Sequence, residues 1–384
     1  MRALQVDRSV TRFATARLSS RPAVLRLTET EPPAPPGPDW VTIRPLLSGI
    51  CGSDLATVYG RASRWFEPYV SFPFTPGHEI VAETATGERV VVEPVLHCTI
   101  RGVDPVCSSC AAGRTNRCEN LVAGHIAAGL QTGYCNQTGG GWSGALVAHR
   151  KQLHYVPAGW SDEAAVLVEP VACSVHAALS APLGEARVAA VVGAGTIGLA
   201  TIAAIRSFRE DVTTVIAVAK HPDQRRLARQ LGADVVAEPD ELRRAVRRAT
   251  GSWVLDSGQL TGGAGVVFDC VGTSESLSSS TAVAAPGATV VLAGMPGRVN
   301  IDLTALWQRE LRLAGAYAYG PEPVAGDRHS FDLAMQLISE HDMGRLVSAL
   351  YPLERHSEAL DHASHAGARG ATKVAFDLRH EKRR

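Results

Sequence analysis

The sequence predicts an α/β protein in which a β-rich domain precedes a doubly wound parallel sheet. Three observations lead there. Short β-type runs separated by Pro/Gly turns fill about the first 160 residues. Strand and helix patterns then alternate to about residue 318. A glycine-rich turn, Gly193-Ala194-Gly195-Thr196-Ile197-Gly198, joins the first strand of the alternating part to its first helix.

The length of 384 residues fits two or three domains. Apolar residues make up 45% and charged residues 20%, as in an ordinary globular chain. Lys plus Arg equals Asp plus Glu at 38 each, so no overall basic surface argues for a nucleic-acid partner. No run of about 18 uncharged apolar residues suggests a membrane span. The N-terminus, Met1-Arg2-Ala3-Leu4-Gln5-Val6-Asp7, reads as a strand and not as a signal peptide. Eight cysteines without a secretory signal fit metal ligation in a reducing, cytoplasmic setting better than disulfides.

In chain order, Glu31 to Pro38 is a polyproline-type surface loop. Trp40 to Arg44, Glu79 to Glu83 and Arg89 to Glu93 read as strands. A helix begins near Ser161-Asp162-Glu163, with Ser161 as its cap, and leads through Glu169 into the alternating part. There Arg187 to Val192 is a strand, Leu199 to Ile205 a helix, Val215 to Val218 a strand, and Gln224 to Leu231 a helix ended by Gly232. Four arginines between Arg243 and Arg248 form the solvated face of a further helix. Strand Val266 to Asp269 and turn Val271-Gly272 follow. The chain then returns to the first domain for a final helix, Phe331 to Ile338, a strand, Lys373 to Leu378, and a solvated tail from His380. The expected divisions are 1–165, 166–318 and 319–384, the last rejoining the first.

In such a strand–turn–helix unit Gly193 makes the tight turn and Gly195 lets backbone approach a pyrophosphate. Gly198 lets helix pack on strand, and the helix start at Thr196 and Ile197 stabilises phosphate charge. An NAD site presents Asp or Glu to the ribose 2′-hydroxyl about 20 residues further on. Ala219 holds that place, so Lys220, His221 and Arg225 can pair with a 2′-phosphate. NADP is therefore expected ahead of NAD; a turn merely facing solvent is the plainer alternative.

Cys51 in Gly49-Ile50-Cys51-Gly52-Ser53-Asp54, His78 in Pro76-Gly77-His78-Glu79 and Glu169 in Val168-Glu169-Pro170 each sit beside a turn-forming residue. A lone Cys or His is more often a packing residue. The three together, ahead of a dinucleotide fingerprint, read as the protein ligands of a catalytic zinc with one open position.

From Met1-Arg2-Ala3-Leu4 through Gly315-Ala316-Tyr317-Ala318-Tyr319-Gly320 to Lys373-Val374-Ala375-Phe376, this set resembles the zinc-dependent medium-chain dehydrogenases, the family of alcohol, sorbitol and threonine dehydrogenases. The resemblance implies a β-rich GroES-like catalytic domain with a structural-zinc lobe, a Rossmann coenzyme domain with Val271 at the coenzyme, and two zinc ions per chain. It implies reversible oxidation of a primary or secondary alcohol, polyol or sugar-like alcohol to an aldehyde or ketone. Glu79 corresponds to an exchangeable zinc ligand, Asp54 to the carboxylate that orients His78, and Ser53 to the hydroxyl that starts proton release. Ala56 replaces the family's relay His, so the proton must leave by another route.

Cys107-x₂-Cys110-x₇-Cys118 resembles the family's structural-zinc lobe. Asp104 stands where the usual first thiolate would be, and Cys98 lies nine positions before Cys107. Four thiolates close such a site well, which favours Cys98, with Asp104 as the alternative. Cys135, Cys173 and Cys270 lack ligand spacing. A carboxylate third ligand resembles sorbitol- and threonine-type relatives and points to a polar substrate. Tyr59, Trp65, Phe66 and Trp142 flank the zinc motifs, as pocket walls or as core. The expected partners are a small-molecule substrate and further copies of the chain, in a homodimer or homotetramer. Two rival classes are weaker: an inactive nucleotide-binding member would have lost the ligands, and a nucleic-acid-binding zinc module would carry a basic stripe.

Overall fold

The computed structural model describes residues 1–19, 21–182 and 187–380. The chain forms two compact units. The first comprises Met1–Glu169, Asp342–Ala366 and the segment from Lys373 onward; the second comprises Pro170–His341 and Gly367–Thr372. Residues 381–384 of the expected solvated tail lie outside the described residues.

The second unit carries a six-stranded parallel sheet. Its order is Val235–Ala237, Thr214–Val218, Val188–Val192, Ala264–Asp269, Ala284–Leu292, Arg312–Gly315. Numbered within the unit this is 3-2-1-4-5-6, the doubly wound order, whose winding reverses between Val188–Val192 and Ala264–Asp269. Val188–Val192 is buried at every position, a continuous apolar run of the kind expected when helices cover both faces. Helix Leu242–Thr250 buries Leu242, Ala245 and Val246, leaves Arg243, Arg244, Arg247 and Arg248 exposed, and ends at Gly251 with φ 67°.

The chain stays in this unit through His341, whereas the sequence pattern returned it at 319. Helix Ser330–His341 buries Phe331, Leu333, Ala334, Leu337 and Ile338 and packs beside helix Thr196–Phe208. Ser207 Oγ and His341 Nε2 are 3.0 Å apart, and fully buried Tyr319 packs edge-on against Phe331 at 4.7 Å. The helix that does serve the first unit is His356–Ser364, whose Ala359 and Leu360 are buried in its core.

In the first unit, strand Trp40–Gly49 is central. It pairs antiparallel with Lys373–Asp377, Ile80–Glu83 and Leu146–His149, while Arg89–Val92, Leu153–Tyr155 and Val347–Tyr351 extend the sheet. Ser161 caps the next helix as expected, its hydroxyl accepting the Ala164 N–H at 3.1 Å. Helix Val10–Ser19 was not legible, because only Ala16 is buried and the sequence shows no apolar stripe. The segment Asp162–Ser180 is long and apolar enough to cross a membrane, but it carries Asp162, Glu163 and Glu169, and 78% of its apolar 18-residue window is buried in the protein.

Candidate active site

The end of strand Trp40–Gly49 delivers Cys51 as the N-cap of helix Gly52–Val58. Asp54 Oδ2 accepts the Cys51 N–H at 3.0 Å, which fixes the turn and leaves the sulfur at a helix N-terminus. Gly77, at φ 94°, turns the chain ahead of His78; a Cβ there would lie 2.4 Å from Trp142 Cδ1. The Gly49 N–H donates to the Glu79 carbonyl at 2.9 Å and ties the two segments together. The ligand atoms of Cys51, His78 and Glu79 consequently lie within 4.8 Å of one another. Glu169, buried at the start of helix Val168–Ser180, is outside that group.

Asp54 is fully buried, and its Oδ1 is 3.5 Å from His78 Nδ1. That is too long for a well-made hydrogen bond, so the contact is chiefly electrostatic. Burial disfavours the imidazolium, but Asp54 and Cys51 outweigh it and raise the pKa well above its ordinary value. The imidazole is thus an electron-rich donor beside a sulfur and carboxylates, a donor set that suits zinc. Ser53 lies half-buried in the first turn of the same helix.

The four lobe sulfurs, Cys98, Cys107, Cys110 and Cys118, also lie within 4.8 Å of one another. A tetrahedral zinc–thiolate site sets sulfurs about 3.8 Å apart, and Cys98 and Cys118 are at 3.6 Å. Asp104 is exposed and outside the group. N–H groups are aimed at the sulfurs: Cys107 N and Asn120 Nδ2 at Cys98 (3.4 and 3.3 Å), and Asn120 N at Cys118 (3.4 Å). A backbone N–H from Glu119 pulls Cys107 down to about 7, whereas burial pushes Cys118 up to about 11 and raises Cys110 further. Four thiols this close lose their protons together only when a cation compensates them, and the donors aimed at sulfur fit that state. Cys135, Cys173 and Cys270 join neither group.

In the coenzyme turn, Gly193 has φ 95° and a Cβ on it would lie 2.4 Å from Val271 Cγ2; on Gly198 it would lie 1.8 Å from the Gly193 carbonyl. A Cβ on Gly195, the N-cap of helix Thr196–Phe208, meets nothing within 4 Å. Gly193 and Gly198 are therefore packing requirements, while Gly195 faces open space beside helix N–H groups, including those of Thr196 and Ile197, as a phosphate needs. Buried Asp269 shapes the adjoining turn by accepting the N–H groups of Val271 and Gly272 at 2.9 and 3.0 Å. Ala219 is buried, Lys220 exposed, and His221 is the N-cap of helix Pro222–Gln230. Arg225 is committed elsewhere than expected: it donates to the Ala219 and Lys220 carbonyls (3.4 and 3.0 Å) and pairs with Glu238 at 3.1 Å. It braces the turn.

Residues 37–158 match the alcohol dehydrogenase GroES-like domain, and residues 196–340 match the zinc-binding dehydrogenase domain. The chain belongs to the zinc-dependent medium-chain dehydrogenase family. It is 28% identical over 373 residues to a sorbitol dehydrogenase of Arabidopsis thaliana and 26% identical over 365 residues to an L-idonate 5-dehydrogenase of Vitis vinifera, in each case across 89% of both chains. A solved structure from Sinorhizobium meliloti 1021, assigned as a zinc-binding dehydrogenase and bound to NADP, matches with a TM-score of 0.72 at 26% identity over 98% of both chains. This chain is accordingly an alcohol oxidoreductase of the zinc-dependent, nicotinamide-using family.

Three residues of this dehydrogenase escaped the sequence reading. Lys373 is buried and donates to both Glu79 oxygens, at 2.6 and 2.7 Å, and to the Ile50 carbonyl at 3.4 Å. Burial would lower its pKa, but Glu79, Cys51 and Glu169 outweigh that and raise it. Glu79, expected as an exchangeable ligand, is in this structure the partner of an ammonium. Tyr134 is buried with its hydroxyl 3.5 Å from Asp54 Oδ1 and beside Thr57 and Ser53. Burial, then the Asp54 charge, raises its pKa and keeps it a neutral phenol. Arg101, fully buried in the lobe, donates to the carbonyls of Leu121, Ala123, Ile126, Ala127 and Gly129 and holds that loop together. The one signal available for Lys373 was a lone charge in an apolar terminal strand. Of the suggested pocket walls, Trp142 is core, packed on Phe376 and donating to the Gly49 carbonyl at 3.3 Å; Tyr59 and Phe66 also pack in the core, and Trp65 is 75% exposed.

Proposed function

We propose that this dehydrogenase interconverts a polyol or sugar-like alcohol and its carbonyl product, using NADP in preference to NAD and holding one catalytic and one structural zinc. The observation that carries the reading is the convergence of half-buried Cys51 with buried His78 and Glu79 in a chain of this family. With Glu79 neutralised by Lys373, Glu169 is the carboxylate left to complete a Cys51–His78 ligand set. Zinc there would polarise the substrate oxygen and lower the pKa of a bound alcohol, readying it to give hydride to the nicotinamide. Asp54 holds His78 in orientation, and Ser53 accepts the alcohol proton. The Tyr134 hydroxyl, buried beside Ser53 and Asp54, orients the Ser53 hydroxyl; with Ala56 in the relay position, half-buried Ser53 passes its own proton on to solvent. The polar substrate class is supported by the sorbitol and idonate dehydrogenase relatives. Turnover of a panel of polyols, simple alcohols and ketones with each nicotinamide tests it; turnover confined to simple apolar alcohols overturns the substrate class.

The NADP preference rests on Ala219. Replacing Ala219 with Asp supplies an acceptor for the ribose hydroxyl and sets a carboxylate against a 2′-phosphate of about −1.5 to −2 charge. The expected shift toward NAD is about 1–3 kcal/mol, or roughly 5–150-fold in the ratio of kcat/KM values. A wild-type enzyme already favouring NAD tenfold overturns the preference.

We also propose a homo-oligomer in the cytoplasm. No disulfide joins any of the eight cysteines, in keeping with a reducing compartment. Arg312–Gly315 ends the described sheet order as an edge strand, with Leu313, Trp307 and Tyr317 exposed near it in sequence. An unpaired edge beside apolar side chains is a template for a second copy. Light scattering should find at least a dimer, and Leu313→Lys should lower the mass; a monomeric wild-type protein removes this assembly.

A further inference from the structure

We propose that a hairpin at residues 253–261 and the arginine face of helix Leu242–Thr250 together form a docking surface for an anionic lipid bilayer. The arginines are those the sequence offered as a solvated helix face, and neither zinc-type cluster uses them.

The hairpin is built to project. Asp256-Ser257-Gly258 is its three-residue loop: the Gly258 N–H donates to the Leu255 carbonyl at 2.7 Å and the Leu255 N–H to the Gln259 carbonyl at 2.9 Å. Gly258 takes the left-handed conformation, φ 82°, that closes such a loop. Below it the Thr261 N–H donates to the Trp253 carbonyl at 3.0 Å, and Val254 bridges antiparallel to Leu260. Successive side chains of an extended strand point to opposite faces. Leu260 is fully buried in one core cluster with Leu242 and Val246 of the arginine helix, so the face it shares with Val254 turns inward. Trp253 and Leu255 therefore share the outward face, where they are 80% and 49% exposed.

The arginine helix and the hairpin form one surface. Arg243 Nη1 donates to the Gly258 carbonyl at 2.9 Å, and because that partner is neutral the guanidinium keeps its full charge. Arg247 stands one turn further along the same face. Neither it nor Arg248 makes an ion pair or hydrogen bond among the described residues, whereas Arg244 is compensated by Glu241. At the hairpin base Arg309 donates to the carbonyls of Leu260, Gly262 and Ala284, all neutral. Asp240 and Asp256 are the uncompensated acids close by in sequence, so the surface keeps a positive charge. Outward Trp and Leu beside guanidinium groups match the layers of a bilayer surface: indole rings settle at headgroup level, and guanidinium pairs with phosphate oxygens. A protein partner would need a pocket shaped to the projecting tip. A fluid bilayer needs none.

Sedimentation of the zinc-loaded full chain with vesicles tests this, using phosphatidylcholine alone and phosphatidylcholine mixed with phosphatidylserine in equal parts. The wild type should sediment with the mixed vesicles, far less with the neutral ones, and added salt should release it. Arg243→Gln/Arg247→Gln/Arg248→Gln should weaken that binding on the order of 100-fold, the summed effect of three basic side chains at an anionic surface. Trp253→Ser/Leu255→Ser should weaken it about tenfold through lost apolar burial. All five side chains are exposed, so urea unfolding of both variants should match the wild type. A wild type that leaves both kinds of vesicle in solution, binds them equally, or loses nothing in either variant overturns the proposal. Where the vesicles are ignored, binding of polyaspartate assigns the surface to an acidic protein, and a lower mass of either variant in light scattering assigns it to a second copy; both results overturn the bilayer.

Discussion

Replacing Cys51 with alanine should abolish turnover and leave a folded protein that still holds one zinc. The thiol is half-buried at a helix N-cap, and the cap hydrogen bond comes from the Cys51 backbone to Asp54, so alanine preserves the local fold. On the proposed ligand set it removes one of three protein ligands, and with it the polarisation of the substrate oxygen. A Lewis-acid contribution of several kcal/mol corresponds to a fall in kcat/KM on the order of 10⁴-fold. The lobe is a separate constellation of sulfurs and should keep its own ion. Cys98→Ser should therefore lose the lobe zinc with little change at Cys51, and Asp104→Asn should retain both ions. Metal analysis with circular dichroism reads all three variants. Folded wild-type protein without zinc at either site, or a Cys51→Ala variant retaining both ions, refutes this assignment.

Lys373→Met should destabilise the protein by about 3–5 kcal/mol, the cost of leaving a buried charge without its partner. Glu79 is 1% exposed, and the ammonium is bonded to both of its oxygens, with Cys51 and Glu169 adding negative charge nearby. Removing the pair together relieves most of the penalty, since two apolar or neutral groups of similar size need no mutual compensation. The double variant Lys373→Met/Glu79→Gln should thus recover most of the stability in urea unfolding of the zinc-loaded protein. A single variant within about 0.5 kcal/mol of wild type, the range of an ordinary surface change, would show that Glu79 is compensated by something else.

Local chemistry made much of this protein legible. Gly193 needs a positive φ and Gly198 tolerates no Cβ, so both must be glycine wherever such a turn occurs. Ser161 caps a helix because its hydroxyl reaches an N–H three residues away. In the lobe Cys107, Cys110 and Cys118 were legible from spacing, and Cys98 was favoured over Asp104 on ligand chemistry; the structure groups the four sulfurs. The strand alternation likewise yielded the parallel sheet, but not the point of return: an apolar stripe on Ser330–His341 shows that the helix is buried without showing against what.

By itself, then, the sequence determined the doubly wound unit, the β-rich unit and the presence of residue types suited to a metal, because each depends on residues a few positions apart or on residue types with narrow chemistry. Only the tertiary structure decided which charges meet. Lys373 and Glu79 are 294 positions apart, and Tyr134 and Asp54 are 80 apart. Arg225 turned inward to carbonyls, while Gly367–Thr372 came to lie along the coenzyme turn. The physical reason is the same in each case: the free energy of a buried charge or a close backbone approach depends on its neighbours in space, and periodicity along the chain carries no record of neighbours so far away.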